Sequence, residues 1–300
     1  MRQLTHMVRG NNRGGIAQAV SPFSILRGLI MMLDELRQRE HFSYSSINAF
    51  FNICSLQWAF QRVYRLKAAF TPVTLSFGSA FHRVMEHVAT VRKEGAVPKK
   101  QESCDLFQDL WERQVSEDTN IRFDEETTRE TCGQQGRDMI ACYVDAIDPQ
   151  EQVHAVNETF AVPVPGSDKP LIGELDLVVE KDGKRTVVDW KTSGKRWPKS
   201  KSEKDWQPTA VLFAYEQTHG VLPDFRFDVV VKNKTPVFEQ HVTTRTQDHF
   251  QRFLKLIGLM ESMVKAEHFC PSEQGFYCGG CGYQEACKAW HRTKLVSVAV

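Results

Sequence analysis

Two aspartates lie in neighbouring segments of the chain that have the pattern of a β-hairpin. Asp182 and Gly183, a strong signal for a two-residue turn, separate two largely apolar stretches. In that register Asp176 lies opposite Asp189, and both side chains point to the same face of the hairpin. Opposed residues have Cβ atoms about 4.5–5.5 Å apart, so the two carboxylates repel each other unless a cation lies between them. The spacing therefore predicts a divalent metal ion with oxygen ligands.

The same register places Glu174 opposite Lys191 on this face. Ordinary surface charge is the alternative explanation, and it is the expected one for Glu180 opposite Arg185 near the turn. The flanking residues nevertheless favour a strand that is buried on both faces, where acidic pairs are costly unless they bind a metal. These flanking residues are all apolar: Val178, Val179, Val187, Val188 and Trp190.

Segments 173–176 (GELD) and 189–193 (DWKTS) resemble the Gly-x-x-Asp and Asp-x-Lys-Thr motifs of the PD-(D/E)XK nuclease superfamily. The resemblance extends over residues 42–290 and is strongest to the RecB/AddB-type branch, which includes CRISPR-associated Cas nucleases with a cysteine cluster. It implies an α/β fold with a restriction-endonuclease-like core, in which helices flank a central mixed β-sheet. A helical insertion at residues 101–148 and a cysteine-rich region at residues 270–290 complete the expected domain.

Two helices around the hairpin add to the resemblance. The branch has a Gly-x-x-x-His helix ahead of the hairpin, which Gly78 and His82 match. It also has a glutamine-led helix after the hairpin, commonly Gln-x-x-x-Tyr, which Gln207 matches. Val211 stands in the place of that tyrosine, and Tyr215, one helical turn later, is expected to substitute for it.

The resemblance implies metal-dependent hydrolysis of a phosphodiester bond, and it assigns a role to each matching residue. Lys191 is expected to orient or help deprotonate the attacking water, and Gln207 to position that water or the lysine. Glu174 and Tyr215 are expected to be supporting residues. The ligands of a magnesium or manganese ion are expected to be His82, Asp176, Asp189 and the carbonyl of Trp190.

Three cysteines near the C-terminus have the spacing of a metal-binding cluster. In Cys278-x2-Cys281-x5-Cys287, the first two thiolates are close enough to share one metal. A fourth ligand is needed, and Cys270, eight residues before Cys278, would complete a compact zinc site. The resemblance instead implies that Cys54 joins the three late cysteines around a [4Fe–4S] cluster, with zinc as the alternative metal. The other cysteines are predicted to be ordinary thiols: Cys104, Cys132 and Cys142.

A basic loop follows the second strand of the hairpin. Lys195, Arg196 and Lys199 are predicted to contact phosphates of a nucleic acid. Trp197, inside the same loop, is predicted to stack on a base of a single strand. A solvated loop without a ligand is the alternative. A smaller basic patch lies near the Cys54 position: Arg62, Arg65 and Lys67.

Composition limits the class of protein. The chain has 300 residues, 41% of them hydrophobic, and its 38 basic and 37 acidic residues give a net charge of +1. This is enough apolar material for one large or two modest domains, and the charge balance excludes a histone-like polycation. No stretch is long and apolar enough for a membrane span. No P-loop motif is present, which excludes an NTP-driven motor within this sequence.

The first 40 residues differ from the rest, because no acidic residue precedes Asp34. They are predicted to be a poorly ordered or weakly packed extension, ahead of a nuclease domain at residues 41–292. Eight cysteines without a secretory leader indicate a reducing compartment, so a cytoplasmic location is expected. An organellar transit peptide is the minor alternative.

These features together predict a metal-dependent DNA exonuclease that prefers DNA ends or single strands. Recombination, repair, phage or CRISPR-related DNA processing is the expected setting, with a helicase or recombination protein as partner. The alternative is a catalytically silent nuclease-like module that binds DNA or a helicase. A third reading is a zinc-ribbon scaffold, in which the hairpin acids are surface charge.

Overall fold

The computed structural model describes residues 35–125 and 127–292. In this part of the chain, a five-stranded mixed β-sheet has helices on both faces, and a separate parallel sheet has two short strands. The helices and strands are, in chain order, α1 (Tyr44–Asn48), α2 (Ser55–Arg62), β1 (Thr71–Pro72), α3 (Val73–Lys93), α4 (Lys100–Glu117), β2 (Ile121–Arg122), α5 (Arg129–Asp145), β3 (Gln152–Val162), β4 (Leu171–Lys181), β5 (Lys184–Ser193), α6 (Ser200–Lys204), α7 (Gln207–His219), β6 (Asp224–Val231), β7 (Val237–Thr243), α8 (Gln247–Lys265) and α9 (Gln284–Ala289).

The central sheet has five strands in the spatial order β3-β4-β5-β6-β7. Strands β5 and β6 run parallel, whereas the other neighbours are antiparallel. Two parallel strands cannot be joined by a hairpin, and the connection from β5 to β6 contains α6 and α7. The predicted α/β fold with a mixed sheet flanked by helices is confirmed.

The hairpin of β4 and β5 has the predicted register. Lys181 pairs with Lys184 and Leu177 with Val188, so the loop between the strands has two residues. Asp182 and Gly183 both have positive φ angles, 52° and 73°, as a type I′ turn requires. The backbone ladder stops after Leu177 and Val188. The next residues beyond this last pair, going away from the turn, are the two predicted acids, Asp176 on β4 and Asp189 on β5.

Helices α3, α4 and α5 cover one face of the sheet. Phe77, Phe107 and Met139 from these helices share a buried core with Val188 and Trp190 of β5. The segment predicted as an insertion beside the core, 101–148, therefore supplies much of this face. Helices α4 and α5 touch closely, because a Cβ atom at Gly136 would lie 1.9 Å from the Phe107 ring.

The C-terminal segment returns to the beginning of the domain. The backbone N–H of Leu56 in α2 donates to the carbonyl of Cys270, at 3.2 Å, and the N–H of Ala69 donates to the carbonyl of Gly282, at 2.9 Å. Helix α8 packs on the same face of the sheet as α2 and α7, through Phe253 among other residues. The two ends of the described chain are thus joined by hydrogen bonds and by a common core.

The predicted N-terminal extension, residues 1–40, lies mostly outside the described residues. Its last part is described, and Arg37 there contacts the carboxylate of Glu174 on β4. Residues 35–40 are mostly exposed and touch the domain through single ion pairs, so the predicted weak packing of residues 1–40 stays a prediction. No helix within the described ranges combines the length and hydrophobicity that crossing a membrane requires.

Candidate active site

Asp176 and Asp189 come together where the β4–β5 ladder ends. The backbone N–H of Trp190 donates to Asp176 Oδ2, at 3.0 Å, which fixes the first carboxylate against the second strand. The Asp189 side chain is only 9% exposed and that of Asp176 is 20% exposed. Burial, and next the charge of Asp189, raise the pKa of Asp176 to about 8. Two carboxylates in this setting therefore favour a bound cation or a proton.

Lys191 supplies the positive charge of the site. Its Nζ lies 2.5 Å from Asp189 Oδ2 and 5.8 Å from the centroid of the Phe227 ring. Burial opposes the charge, but Asp189 and Asp176 outweigh it, and the pKa of Lys191 is raised above its usual value. The ammonium group is consequently protonated at neutral pH.

His82 reaches the acids from α3, on the side of the sheet that carries α4 and α5. Its Nδ1 lies 3.5 Å from Asp176 Oδ2, and its ring packs edge-on against Trp190 with 6.2 Å between ring centroids. The backbone of Trp190 also hydrogen-bonds the imidazole. Burial lowers the pKa of His82, and Lys191 lowers it further against the pull of Asp189. The ring is therefore neutral at pH 7, which is the form that binds metals.

Gln207 is the first residue of α7 and faces the acids from the other side. Its Nε2 donates to Asp189 Oδ1, while its backbone N–H donates to Asp205 Oδ1, at 2.9 Å. The N-terminus of a helix carries a partial positive charge, which also stabilises Asp189. Gln207 thus has the position that the sequence predicted for it.

Three residues that the sequence analysis missed hold Gln207 in place. The hydroxyl of Tyr44 donates to Asp205 Oδ1, at 2.8 Å. Burial, followed by the charge of Asp205, raises the pKa of this tyrosine. Arg245 is buried and donates to the backbone carbonyls of Ser202 and Asp205, at 2.9 and 2.8 Å, so it fixes the turn between α6 and α7. Only Asp205, a capping residue type two positions before a helix, gives a local signal.

Glu174 does not pair with Lys191 as the hairpin register suggested. Its carboxylate contacts Arg37, whereas Lys191 contacts Asp189. The strands separate beyond the end of the ladder, so the facing positions no longer touch. Glu174 still acts on the site, because its charge helps to raise the pKa of Asp176, after burial and Asp189.

Tyr215 cannot take the place of the missing tyrosine. It is 2% exposed, stacks on His219 with 4.2 Å between ring centroids, and hydrogen-bonds Arg185. Arg185 lies near the turn of the hairpin, four residues or about 13 Å along the strand from Asp189. Helix α7 begins beside Asp189 and extends toward the turn of the hairpin, so its later residues, including Tyr215, lie away from the acids. A tyrosine from a different part of the chain, Tyr44, instead lies close enough to Asp189 for that charge to raise its pKa, after burial and Asp205.

The predicted nucleic-acid contacts of the loop after β5 are changed by packing. Trp197 is half-buried against the Phe227 ring, at 5.1 Å, and the ammonium group of Lys201 lies 3.8 Å from its ring centroid. Its ring is therefore engaged within the structure, and stacking of Trp197 on a base stays a prediction. Arg196 pairs with Glu239, at 3.1 Å. The two remaining predicted contacts are exposed: Lys195 and Lys199.

The acids and their neighbours offer suitable donors for a magnesium or manganese ion. Asp189 Oδ2 and Gln207 Oε1 are buried acceptors without a hydrogen-bond donor of good geometry in the described part of the chain. With Asp176, neutral His82 and the Trp190 carbonyl, the donor set is rich in oxygen, as these ions prefer. No three His, Cys, Asp or Glu side chains among residues 35–125 and 127–292 are already drawn together as a metal-binding group. The donors fit the ion, although they do not form a closed cage.

Four cysteines line a second feature, a cavity of about 330 Å³ between α2 and the C-terminal segment. A break in the predicted first helix places Cys54 there, because α1 ends in a wider turn at Ala49–Ile53 before α2 begins. The backbone N–H of Gln57 points at Cys54 Sγ, at 3.4 Å. The four cysteines that line this cavity are those predicted as cluster ligands: Cys54, Cys278, Cys281 and Cys287.

Cys270 does not line this cavity. It is exposed, and its backbone N–H and carbonyl bond the hydroxyl of Ser55, at 2.9 and 3.2 Å. Burial is the first cause that raises the pKa of Cys281 and Cys287, and neighbouring thiols raise both further. The four thiols of the cavity are the type of donor that binds zinc or iron. As with the acids, no three of them are drawn together as a metal-binding group in the described part of the chain.

The raised pKa of Asp176 predicts how stability depends on pH in the absence of metal. As pH rises from about 4 to about 8, the unfolded chain loses this proton before the folded protein does, so the free energy of unfolding falls over that window. Magnesium should raise the melting temperature more at pH 8 than at pH 6, because it competes with the proton. Thermal unfolding in EDTA and in Mg²⁺ checks both effects. Asp176→Asn, which lacks the titrating group, should flatten them, and an unchanged pH profile in this variant contradicts the assignment.

Comparisons with known proteins agree with this architecture. The family model of the PD-(D/E)XK nuclease superfamily matches residues 41–288. A crystal structure of a presumed exonuclease from Eubacterium rectale is similar over 90% of this chain and 94% of its own, with 13% identity and a TM-score of 0.53. A second crystal structure, of the protein SSO0001, covers 86% of this chain and 97% of its own at 11% identity, but its TM-score of 0.35 is too low to support an argument. No curated protein sequence matches.

The family match covers the residues of the candidate active site and the four cysteines of the cavity, from before Cys54 to beyond Cys287. The similar crystal structure supports the fold alone, since its identity to this chain is low. On the match of its sequence over more than half its length, the chain belongs to the PD-(D/E)XK nuclease superfamily.

Proposed function

We propose that this protein is a magnesium- or manganese-dependent exonuclease that acts on the ends of DNA single strands. One observation carries the proposal: Asp176, Asp189 and Lys191 meet at the end of the β4–β5 ladder, in a chain of a nuclease superfamily. A binding module without activity would not need a half-buried lysine beside two acids. We further propose recombination, repair, phage or CRISPR-related processing as its setting, with a helicase or recombination protein as partner.

The residues that would hold the metal ion are His82, Asp176, Asp189 and the carbonyl of Trp190. Bound there, the ion would polarise the phosphodiester and lower the pKa of a water molecule. The task of the chain is to arrange these donors around the scissile phosphate. Asp176 is fixed by the Trp190 N–H, and Asp189 by Gln207 and Lys191, so the acids need little reorganisation.

Lys191 acts as a fixed positive charge in this mechanism. Because its pKa is raised by both acids, it cannot accept a proton from water at neutral pH in the metal-free site. Its ammonium group can donate to a phosphate oxygen and stabilise the additional negative charge of the transition state. The sequence suggested that Lys191 either orients the attacking water or helps to deprotonate it. We propose the first of these roles, together with stabilisation of charge in the transition state.

Gln207 is proposed to orient the attacking water. Its Nε2 is committed to Asp189, which leaves Oε1 as a buried acceptor without a donor from the described residues. A water molecule beside the phosphate could donate to this oxygen. Tyr44 and Arg245 maintain the position through Asp205, so their part is to position Gln207.

The cysteine cavity is proposed to hold a [4Fe–4S] cluster, with zinc as the alternative. Four cysteines line a single cavity, and backbone N–H groups approach two of them, Cys54 and Cys281, each at 3.4 Å. Such N–H···S contacts stabilise cluster ligands. Because Cys54 lies in the first part of the domain and its partners in the last, the centre would tie the two ends together.

Exonuclease action can be separated from endonuclease action with two DNA substrates of the same sequence. We expect the protein to digest linear single-stranded DNA with Mg²⁺ and to leave a covalently closed circle of that strand intact, because the circle has no end. Gel analysis after equal incubation, with EDTA as control, measures this. Cleavage of the circle at a similar rate would show that the protein acts as an endonuclease and not as an exonuclease. Digestion in EDTA would contradict metal dependence.

A further inference from the structure

A cavity of about 520 Å³ lies between segment 37–42, helix α2 and helix α8. Its size is within the range of small-ligand sites, about 300–1,000 Å³. Phe42, Trp58 and Val63 provide an apolar floor. The basic residues of its wall are Arg37, Arg39, Arg62, Arg65 and Lys169.

The rim of this cavity has an excess of positive charge. Lys169 is compensated by Glu40 and Glu261, the two acids of the wall, at 2.9 and 3.5 Å. Arg37 is compensated by Glu174. The three remaining arginines are exposed and have no ion pair within the described part of the chain, so they leave three positive charges: Arg39, Arg62 and Arg65.

The turn after α2 places one of these arginines where glycine is usual. Arg65 has a φ angle of 52°, and the N–H of Leu66 donates to the carbonyl of Phe60, at 2.8 Å, which closes the helix end. Glycine favours this left-handed position because it has no Cβ. Arg65 therefore lies on the rim of the cavity beside Arg62. Its backbone conformation also means that the substitution Arg65→Gly should be accepted without strain.

Arg37 connects the cavity to the strand that carries the candidate acids. It belongs to the cavity wall and contacts Glu174, which is two residues from Asp176 on β4 and close enough to raise the pKa of that aspartate, after burial and Asp189. The cavity and the candidate active site are therefore linked by the Arg37–Glu174 contact. An apolar floor and a cationic rim together suit a nucleotide, with its flat base and its phosphate.

We infer that this cavity binds a nucleotide of the same single strand that is cleaved at Asp176 and Asp189. The inference rests on the proposed function and adds to it a second contact with the strand. It assigns the phosphate contacts to Arg39, Arg62 and Arg65, and the base to the apolar floor.

The double variant Arg62→Gln/Arg65→Gly tests the inference, with Lys67→Gln as matched control. Lys67 is exposed, lies two residues after Arg65 and is not part of the cavity wall. Fluorescence anisotropy with labelled dT20 in EDTA, over a series of salt concentrations, measures binding without hydrolysis. We expect an approximately 10-fold higher Kd and a salt slope lower by about 1.4, since each phosphate contact to a single strand contributes about 0.7. Lys67→Gln should keep both quantities close to the wild type.

Digestion assays separate this inference from the proposed function. With Mg²⁺ the double variant should show a KM raised about 10-fold and an unchanged kcat, because the groups that act on the scissile bond are untouched. Unchanged Kd, salt slope and KM, in a variant that melts like the wild type, would overturn the nucleotide site and leave the nuclease in place. The opposite outcome is also informative. If the wild type does not digest DNA, but the double variant shows the expected rise in Kd and fall in salt slope, the proposed nuclease activity is overturned and the nucleotide site is supported.

Discussion

Replacing Asp189 with asparagine is expected to slow Mg²⁺-dependent digestion of DNA by about 1,000-fold or more, or about 4 kcal/mol of transition-state stabilisation. The substitution keeps the shape of the side chain and the acceptor for Gln207 but removes the charge that faces Lys191. A metal ion loses one of its two carboxylate ligands. Digestion rates with saturating Mg²⁺, normalised to folded protein, measure the effect.

Asp182→Asn provides the matched control for this prediction. It makes the same chemical change in the same hairpin, at the turn and away from the site. Asp182 has a φ angle of 52°, a conformation that asparagine adopts readily, so the fold should be unaffected. Digestion by Asp189→Asn at a rate within about 10-fold of that of Asp182→Asn would mean that the hairpin acids do not bind the catalytic metal.

Replacing Cys54 with serine is expected to abolish the metal centre and to lower the stability of the whole domain. Anaerobically purified protein should be brown, absorb at about 400 nm and contain about four iron and four sulfide ions per chain. In Cys54→Ser the colour should be lost, since one of the four thiols that line the cavity is gone. The proposed centre would bridge about 220 residues between Cys54 and Cys278, and the loop-closure entropy of such a link is about 5 kcal/mol.

Cys270→Ser is the control that separates the two possible fourth ligands. Cys270 lies outside the cavity and acts through its backbone bonds to Ser55, so this variant should keep colour, iron content and melting temperature. Loss of the metal in Cys270→Ser but not in Cys54→Ser would instead establish the compact local site. A colourless protein with about one zinc ion per chain would show that the centre holds zinc and not an iron–sulfur cluster.

The central hairpin could be predicted from sequence because its information is local. Asp182 and Gly183 select a type I′ turn, and a two-residue turn sets the register of both strands. The alternation of side chains then brings Asp176 and Asp189 to one place. Gln207 was predictable for a related reason. It begins helix α7, in the connection that follows β5, and the starts of helices are marked in sequence.

The rest of the site depends on contacts between distant parts of the chain. Tyr44 and Asp205 are 161 residues apart, and nothing in either segment indicates the bond between them. Tyr215 was misassigned because periodicity gives its face on α7 but not the direction in which the helix leaves the acids. Trp197 stands in a polar loop and reads as exposed from sequence, whereas the fold packs it on Phe227. The expected pairing of Glu174 with Lys191 is absent because the ladder ends before those positions, although the charge of Glu174 still acts on Asp176.

The most direct test of the account is the release of nucleotides from end-labelled linear single-stranded DNA by anaerobically purified protein, in Mg²⁺ and in EDTA, beside Asp189→Asn. The account predicts release in Mg²⁺ by the wild type, and none in EDTA or by the variant. No release by a folded, metal-replete wild type would contradict it, and the chain would then be a silent member of its superfamily that binds DNA or a helicase.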